Sequence, residues 1–135
     1  MDIFLSINNR EKVIQFPVLP AEFTVSSPQQ NETYQTIGIG EINLIGNKGL
    51  KGISFTSIFP AKKLTYSRNT DKYGWELAEE IESMRDRKLP FRLVITDTPI
   101  NMPVTIESFD YGMKSETKDI QYSIEFKEFR FLEVK

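Results

Sequence analysis

The sequence predicts one α+β domain that is mostly β-structure, with a single α-helix just past its middle. Three observations predict this class. The chain has 135 residues, the size of one ordinary domain. Along most of it, short runs of aromatic and β-branched residues recur between Gly, Pro, Asn and Asp, as they do in strands. A helical period interrupts these runs once, between Asp71 and Lys88.

The segment before the helix predicts six strands. In the first, Ile3, Leu5 and Ile7 occupy every second position, which is the period of a strand with one buried face. Pro17 and Pro20 end the second run, because proline lacks the amide donor that a ladder needs. The polar, turn-prone residues 26–33 predict a mobile surface loop. The six strands are expected at residues 3–8, 12–17, 22–26, 34–39, 41–45 and 52–59.

The helix is predicted at about residues 72–88. Thr70 or Asp71 is suited to cap its start by accepting hydrogen bonds from free backbone amides. Acidic side chains come early and basic ones late, which complements the helix dipole. Pro90 sets the exit. One apolar stripe, which favours burial, is formed by Trp75, Leu77, Ala78, Ile81 and Met84.

Three strands are predicted after the helix, at residues 91–96, 102–112 and 119–131. In the last one the even-numbered apolar residues from Ile120 to Phe126 share a face, but Phe129 and Phe131 have the opposite parity. Its partner changes parity between Ile106 and Phe109. A one-residue slip of this kind indicates a β-bulge or a change of packing partner. We therefore expect a long hairpin that bends once, which suits a barrel or an orthogonal sandwich better than a flat sheet.

Composition excludes several classes of function. The chain has no Cys and no His, which excludes disulfides, thiolate and His-based catalysis, and most transition-metal sites. Its net charge of −2 disfavours nucleic acid and anionic lipid as partners. No apolar run is long enough to span a membrane, and no basic segment typical of a secretory signal opens the chain. No cofactor or metal is expected.

The glycine-rich stretch from Gly38 to Gly52 does not predict a phosphate-binding loop. Lys48 is followed by Gly49 instead of Ser or Thr, and a strand follows instead of a helix. These glycines are better explained as the turns of paired strands.

The remaining polar candidates are also explained by ordinary structure. Glu107, Asp110 and Glu125 are strand carboxylates that could meet across the hairpin as a glycosidase pair, but cross-strand ion pairs explain them equally well. Asp97 and Asn101 lack the spacing of a calcium loop and are typical of a turn. The basic cluster Lys62, Lys63 and Arg68 is interpreted as a solvated loop before the helix.

Five segments carry a resemblance to a known family. They are GEINLIG at 40–46, ISFTSIFP at 53–60, PFRLVI at 90–95, TPINMPVTIE at 98–107 and YSIEFKEFR at 122–130. In this order, over residues 1–130, the chain resembles the N-terminal domain of the LysM-bearing tail and baseplate proteins of contractile-tailed phages, PBSX-like defective prophages and phage-tail-like bacteriocins.

This resemblance implies a fold and a role. The fold is that of tail-tube and hub proteins: two antiparallel sheets packed as a split barrel with one flanking helix, the sheets joining between subunits into a ring. The role is a non-enzymatic part near the tube–baseplate junction. It would assemble in the bacterial cytoplasm, become part of the tail or tail-like particle, and contact copies of itself and tube, hub and other baseplate proteins.

The sequence departs from the resembled family at its end. Family members continue into a LysM module of about 50 residues, whereas this sequence ends at Lys135. We therefore expect one structural domain over residues 1–135 without that module, and we do not expect peptidoglycan binding.

Three segments are candidate assembly surfaces, because a ring subunit must offer strand edges or apolar patches to its neighbours. They are the loop at 26–33, the loop at 46–52 and the terminal segment at 127–135. The candidate residues are Ser27, Gln29, Asn47, Lys48, Leu50, Lys51, Phe129, Phe131 and Leu132.

Two alternatives remain open at this stage. One is a tail-associated protein that binds or hydrolyses peptidoglycan, which would need a carboxylate pair in a cleft or a sugar-stacking groove around Trp75, Tyr73 or Tyr66. The other is a β-barrel adaptor unrelated to phage.

Overall fold

The computed structural model describes residues 1–61 and 74–131. Within these two ranges the chain forms nine strands and one helix, with the helix between the sixth and seventh strands. The elements are β1 (Ile3–Ile7), β2 (Lys12–Gln15), β3 (Phe23–Ser26), β4 (Glu32–Thr36), β5 (Gly40–Leu44), β6 (Gly52–Phe59), α1 (Trp75–Asp86), β7 (Phe91–Ile95), β8 (Asn101–Met113) and β9 (Ile120–Glu128).

The strands form two antiparallel sheets. The larger sheet has the order β2-β1-β7-β8-β9-β6-β3, and β4 pairs with β5 as a separate two-stranded sheet. Each of the nine predicted strands is present, with ends shifted by at most three residues. The predicted class, mostly β with a single helix and two antiparallel sheets, is therefore confirmed.

The larger sheet curls until its two edges approach each other. Phe16, directly after β2 at one edge, has its ring centroid 5.6 Å from that of Phe55 in β6 and 6.2 Å from that of Phe59. Beside them the Ser57 hydroxyl donates a hydrogen bond of 2.9 Å to the carbonyl of Val18. Because β1, β7, β8 and β9 lie between β2 and β6 in the sheet, these contacts require strong curvature. The sheet is a barrel that is split between β2 and β3.

An aromatic cluster occupies the middle of this barrel. Tyr122 lies at its centre, with ring centroids 4.1 to 6.3 Å from those of Phe16, Phe55, Phe59 and Phe109. Pairs at such distances contribute about 0.5–1.5 kcal/mol each beyond the area they bury. The cluster therefore joins β6, β8, β9 and the segment after β2 into one core.

The long hairpin β8–β9 bends at a β-bulge, as predicted. Ile106 pairs with Phe126 and Ser108 with Glu125, so that Glu107 is the extra residue. The strand 119–131 was predicted too long, however. It ends at Glu128: the Phe129 amide still donates to the carbonyl of Pro103 at 2.8 Å, but Pro103 has no amide with which to return the hydrogen bond.

The helix buries Leu77, Ala78, Ile81 and Met84 completely in the same core. Its described start is Trp75, and the predicted caps Thr70 and Asp71 lie outside the described residues. Its end comes two residues earlier than predicted, at Asp86, and Lys88 takes a positive φ of 56°. The prediction of a buried Trp75 is wrong.

Trp75 is 47% exposed, and its ring makes an edge contact with Tyr111, with the centroids 5.9 Å apart. In the part of the chain that the structure describes, no helix has the length and apolar character needed to cross a membrane.

Candidate assembly interface

A two-stranded arm, residues 27–51, leaves the barrel between β3 and β6. Its outer part is the β4–β5 hairpin, in which Glu32 pairs with Leu44 and Thr36 with Gly40. Gly38 and Gly40 form the tip with φ values of 119° and 89°, which glycine adopts without strain. The Thr36 hydroxyl donates to the carbonyl of Gly40 at 2.8 Å and closes the turn.

The arm exposes several large apolar side chains to solvent. Ile37 and Ile39 flank the tip glycine and are 102% and 83% exposed, and Ile45 is 82% exposed. Tyr34 and Leu44 are also exposed. Exposed apolar side chains concentrated in one hairpin are typical of a contact surface.

The two predicted loops, 26–33 and 46–52, pair with each other as the base of this arm, which corrects their interpretation as surface loops. Gln29 forms an antiparallel bridge with Lys48, and the amide of Gln30 donates to the carbonyl of Asn47 at 2.8 Å. Closer to the barrel along the same two segments, the amide of Gly49 donates a hydrogen bond of 2.9 Å to the carbonyl of Pro28. The pairing is therefore nearly continuous from β3–β6 to β4–β5.

Gly46 is required at this base. Its amide donates to the Asn31 side-chain carbonyl, and its carbonyl accepts from the Gln29 side-chain amide, each at 2.9 Å. A Cβ atom at this position would lie 1.7 Å from the carbonyl oxygen of Gln30. Only a residue without a side chain allows the two strands to approach this closely.

The terminal segment lies against the same base. Glu128 and Lys51 are joined twice: the Glu128 amide donates to the Lys51 carbonyl at 2.7 Å, and the Lys51 amide donates to the Glu128 carboxylate at 3.1 Å. Arg130 reaches the carbonyls of Lys48 and Gly49, each at 3.5 Å. The three candidate assembly segments thus meet at one end of the barrel.

The individual candidates differ in exposure. Phe129 is half-buried and Phe131 is 64% exposed, and their rings make an edge contact with the centroids 5.1 Å apart. Lys51 is half-buried, and Leu132 lies outside the described residues. The exposed candidates are Ser27, Gln29, Asn47, Lys48 and Leu50. The strongest apolar exposure, at Ile37, Ile39 and Ile45, was not among the predicted site residues.

The electrostatics of the outer arm are acidic. Its charged residues from Glu32 to Ile45 are Glu32 and Glu41, and both are exposed. The Tyr34 hydroxyl donates to the Glu32 carboxylate at 2.7 Å, and this hydrogen bond raises the pKa of Tyr34. The arm therefore presents a mixed apolar and anionic surface.

The candidate carboxylates do not form a catalytic pair. Glu107, Asp110 and Glu125 are all exposed on the bent hairpin. Glu107, the bulged residue, accepts a hydrogen bond of 3.0 Å from the Thr105 hydroxyl. A glycosidase pair flanks the scissile bond of a bound sugar, whereas these three side chains lie on exposed strand surface.

The other candidate sites were a cation site and a sugar-stacking groove, and the structure describes residues 1–61 and 74–131 of the chain. No group of three or more potential metal ligands occurs there. Asp97 lies in a turn with φ of 63° and pairs with the amino group of Met1 at 3.1 Å. Of the sugar-stacking candidates, Tyr66 and Tyr73 lie outside the described residues, as does the basic cluster at 62–68.

Comparison with known proteins decides the family. The sequence model of the Dit-like phage tail proteins matches residues 19–135 of this chain. The chain belongs to this family. A Dit-like tail protein is a structural component of a phage-type tail, and membership excludes the adaptor unrelated to phage.

One curated relative of this Dit-like chain is the uncharacterized protein YqbP of Bacillus subtilis (strain 168), which is 35% identical over 130 residues. The match covers 92% of this chain and 58% of YqbP, so the chain spans little more than half the length of that relative.

Two solved structures share the fold of this Dit-like chain. A chain from the tail of an empty gene transfer agent particle, a structure with C6 symmetry, gives a TM-score of 0.63 with 15% identity over 100% of this chain and 95% of that chain. A chain from the virion of the native particle gives 0.60 with 14% identity over 96% and 92%. At these identities the likeness concerns the fold.

Proposed function

We propose that this chain is a non-enzymatic subunit at the tube–baseplate junction of a contractile tail. It assembles with copies of itself into a ring and docks to tube, hub and other baseplate proteins. The tail belongs to a phage, a PBSX-like defective prophage or a phage-tail-like bacteriocin. Assembly takes place in the bacterial cytoplasm, and the finished ring is part of the particle.

The observation that carries this proposal is the exposed apolar arm. Ile37, Ile39 and Ile45 are almost fully exposed, although each could gain about 1.5–3 kcal/mol from full burial. A two-stranded ribbon in water is only marginally stable by itself, so such an arm is best explained by a partner that covers it. Family membership indicates that the partner is another tail subunit.

The solved structures that share this fold support a ring. The gene transfer agent tail that matches this chain has sixfold symmetry, and the match spans nearly all of both chains. We infer a ring of six copies. In such a ring the open edge of β3 and the arm are available for contacts between subunits, because β3 is an edge strand of the larger sheet in the described part of the chain.

The proposal assigns no catalysis and no peptidoglycan binding to the described residues. The exposed strand positions of Glu107, Asp110 and Glu125 support this assignment. YqbP is longer than the matched region, which is consistent with a domain that is followed by a further module in the resembled proteins.

A genetic experiment tests the proposal. The gene is deleted in the producing strain and complemented with wild type, with Ile39→Asp at the arm tip, or with Ser115→Asp as the matched control. Both substitutions add one carboxylate at an exposed turn, but Ser115 lies at the opposite end of the barrel.

Electron microscopy of purified particles reads out the result. We expect complete tails with wild type and Ser115→Asp, and few or no complete tails with the deletion or Ile39→Asp. Normal tails in the deletion strain would refute a structural role. Normal tails with Ile39→Asp would refute the role of the arm.

A further inference from the structure

A cleft of about 520 Å³ opens beside the turn between β1 and β2. We call it the end cleft and define it by Arg10, Leu89, Phe91, Arg92 and Phe131, which line it together with neighbouring residues. Its volume is within the roughly 300–1,000 Å³ typical of sites that bind small molecules, and it is ample for two isoleucine side chains.

The sheet register places the end cleft and the arm at the same end of the barrel. Phe91 at the cleft pairs with Val104, which pairs with Glu128. The neighbouring Lys127 pairs with Gly52, and Gly52 pairs with Ser26, where the arm begins. The turn that contains Ser115 lies at the other end, since it joins the far ends of β8 and β9.

The end cleft is cationic as well as apolar. Arg10 and Arg92 are its charged lining residues among those that the structure describes, and both are exposed. The nearby Glu11 does not neutralise them, because it pairs with Arg87 of the helix end. The hydrogen bond from Arg87 lowers the pKa of Glu11.

The tip of the arm complements this cleft in both respects. It offers Ile37 and Ile39 as apolar groups, with the exposed Glu41 beside the turn as the nearest charge, whereas Glu32 lies at the far end of the hairpin opposite Leu44. The cleft offers apolar walls, which include the exposed Leu89 and Phe131, with two arginines. Opposite charges beside a buried apolar contact fix its register and disfavour wrong partners.

We propose that the arm tip of one copy inserts into the end cleft of the adjacent copy in the same ring, with Glu41 facing Arg10 and Arg92. This inference rests on the proposed ring assembly and names the two surfaces that join it. Each copy donates one arm and accepts one, so the contact is head-to-tail and can close into a ring.

The arm and the end cleft lie at the same end of the barrel, and this position favours a ring of copies over a stack. A copy stacked head-to-tail above the arm would present its opposite end, the one with Ser115. A copy beside the arm presents its end cleft at the same level. The geometry therefore joins copies side by side.

Cysteine cross-linking in assembled particles tests this directly, because the chain has no native cysteine. The test variant carries Ile39→Cys and Leu89→Cys, and the control variant carries Ile39→Cys and Ser115→Cys. All three positions are exposed. Particles from the complemented deletion strain are treated with a short bis-maleimide and separated on a denaturing gel.

We expect a ladder of covalent multimers from the test variant and none from the control. A ladder from the control alone would show stacking and overturn the inference. Subunits that are present in the particle but form no ladder in either variant would also overturn it, because the arm would then contact a different protein. Absence of the chain from particles would refute the proposed function, and the inference with it.

Charge reversal provides a second measurement. Arg10→Asp with Arg92→Glu is expected to reduce cross-linking of the test variant at least about tenfold, and Asp is suited to the positive φ of 66° at position 10. Adding Glu41→Arg should restore the ladder. Restoration cannot follow from misfolding, so a failure to restore it would contradict the assigned charge pairing.

Discussion

Substitution of Tyr122 by Phe is expected to stabilise the protein. The Tyr122 side chain is at the centre of the aromatic cluster, and its hydroxyl oxygen is buried without a hydrogen-bond partner in the structure. Opposite it in the register, the Ser57 hydroxyl donates to the carbonyl of Val18. A buried polar group without a partner costs about 1–3 kcal/mol, and Phe removes it while keeping the ring.

The size of the stabilisation expected for Tyr122→Phe depends on the cost of burying the hydroxyl and on the pH. Burial raises the pKa of the Tyr122 hydroxyl far above its ordinary value of 10.0. Above pH 10 the unfolded chain loses this proton and the folded protein keeps it, so alkaline pH stabilises the unfolded state. One pH unit above the ordinary value, the loss of folding free energy is about 1.4 kcal/mol.

Urea unfolding followed by circular dichroism measures both effects. At about pH 8 we expect Tyr122→Phe to raise the free energy of unfolding by about 1 kcal/mol. At about pH 11 the difference from wild type should grow to about 2.4 kcal/mol, because the variant lacks the titrating hydroxyl. A less stable variant at pH 8 would show that the hydroxyl bonds to Ser57, and a constant difference would refute the burial argument.

Three further predictions concern the barrel and the arm. Phe16→Ala should lower the free energy of unfolding by about 3–5 kcal/mol in the same assay, because Phe16 is fully buried where the sheet curls on itself; a loss near zero would contradict the closure. Ile37→Asp with Ile39→Asp should change it by less than about 0.5 kcal/mol, since neither side chain is packed in the monomer, and a large loss would show that the tip is buried. Gly46→Ala should destabilise the arm by about 1–3 kcal/mol and speed hydrogen exchange of arm amides, whereas Gly112→Ala, with open space at its Cβ position, should not; equal exchange in the two variants would contradict the close approach at Gly46.

The barrel could be predicted from the sequence because its side chains alternate clearly. The change of parity between Ile106 and Phe109 located the bulge, since a side chain that changes face must leave the ladder. The stripe of Leu77, Ala78, Ile81 and Met84 located the helix for the same reason.

Trp75 was misassigned because its three-residue spacing relates it to Ala78 alone, and Ala78 lies at the border of that stripe. At 100° per residue, Ala78 lies at the border of the buried face, and Trp75 lies a further 60° or so outside it, about 130° from the middle. Spacing from a single border residue was therefore a poor guide to burial, and the wide apolar surface of the indole lies against Tyr111 instead.

The arm could be predicted only in part. The strands at 34–39 and 41–45 were predicted, but the pairing of 28–31 with 46–49 combines a few backbone hydrogen bonds with those of the Gln29 and Asn31 side chains, and polar residues of this kind leave no alternating pattern. Ile37 and Ile39 fall within the predicted strand 34–39, but both lie in the exposed turn at the tip. Their partner lies outside the folded chain, and one sequence does not contain that information.

Electron cryomicroscopy of the intact particle, with this chain located in the density, tests the central claim most directly. The account predicts a closed ring of copies at the tube–baseplate junction, with each arm in contact with the adjacent copy. A particle with no copy of the chain, or with copies elsewhere than this junction, would contradict the proposed role.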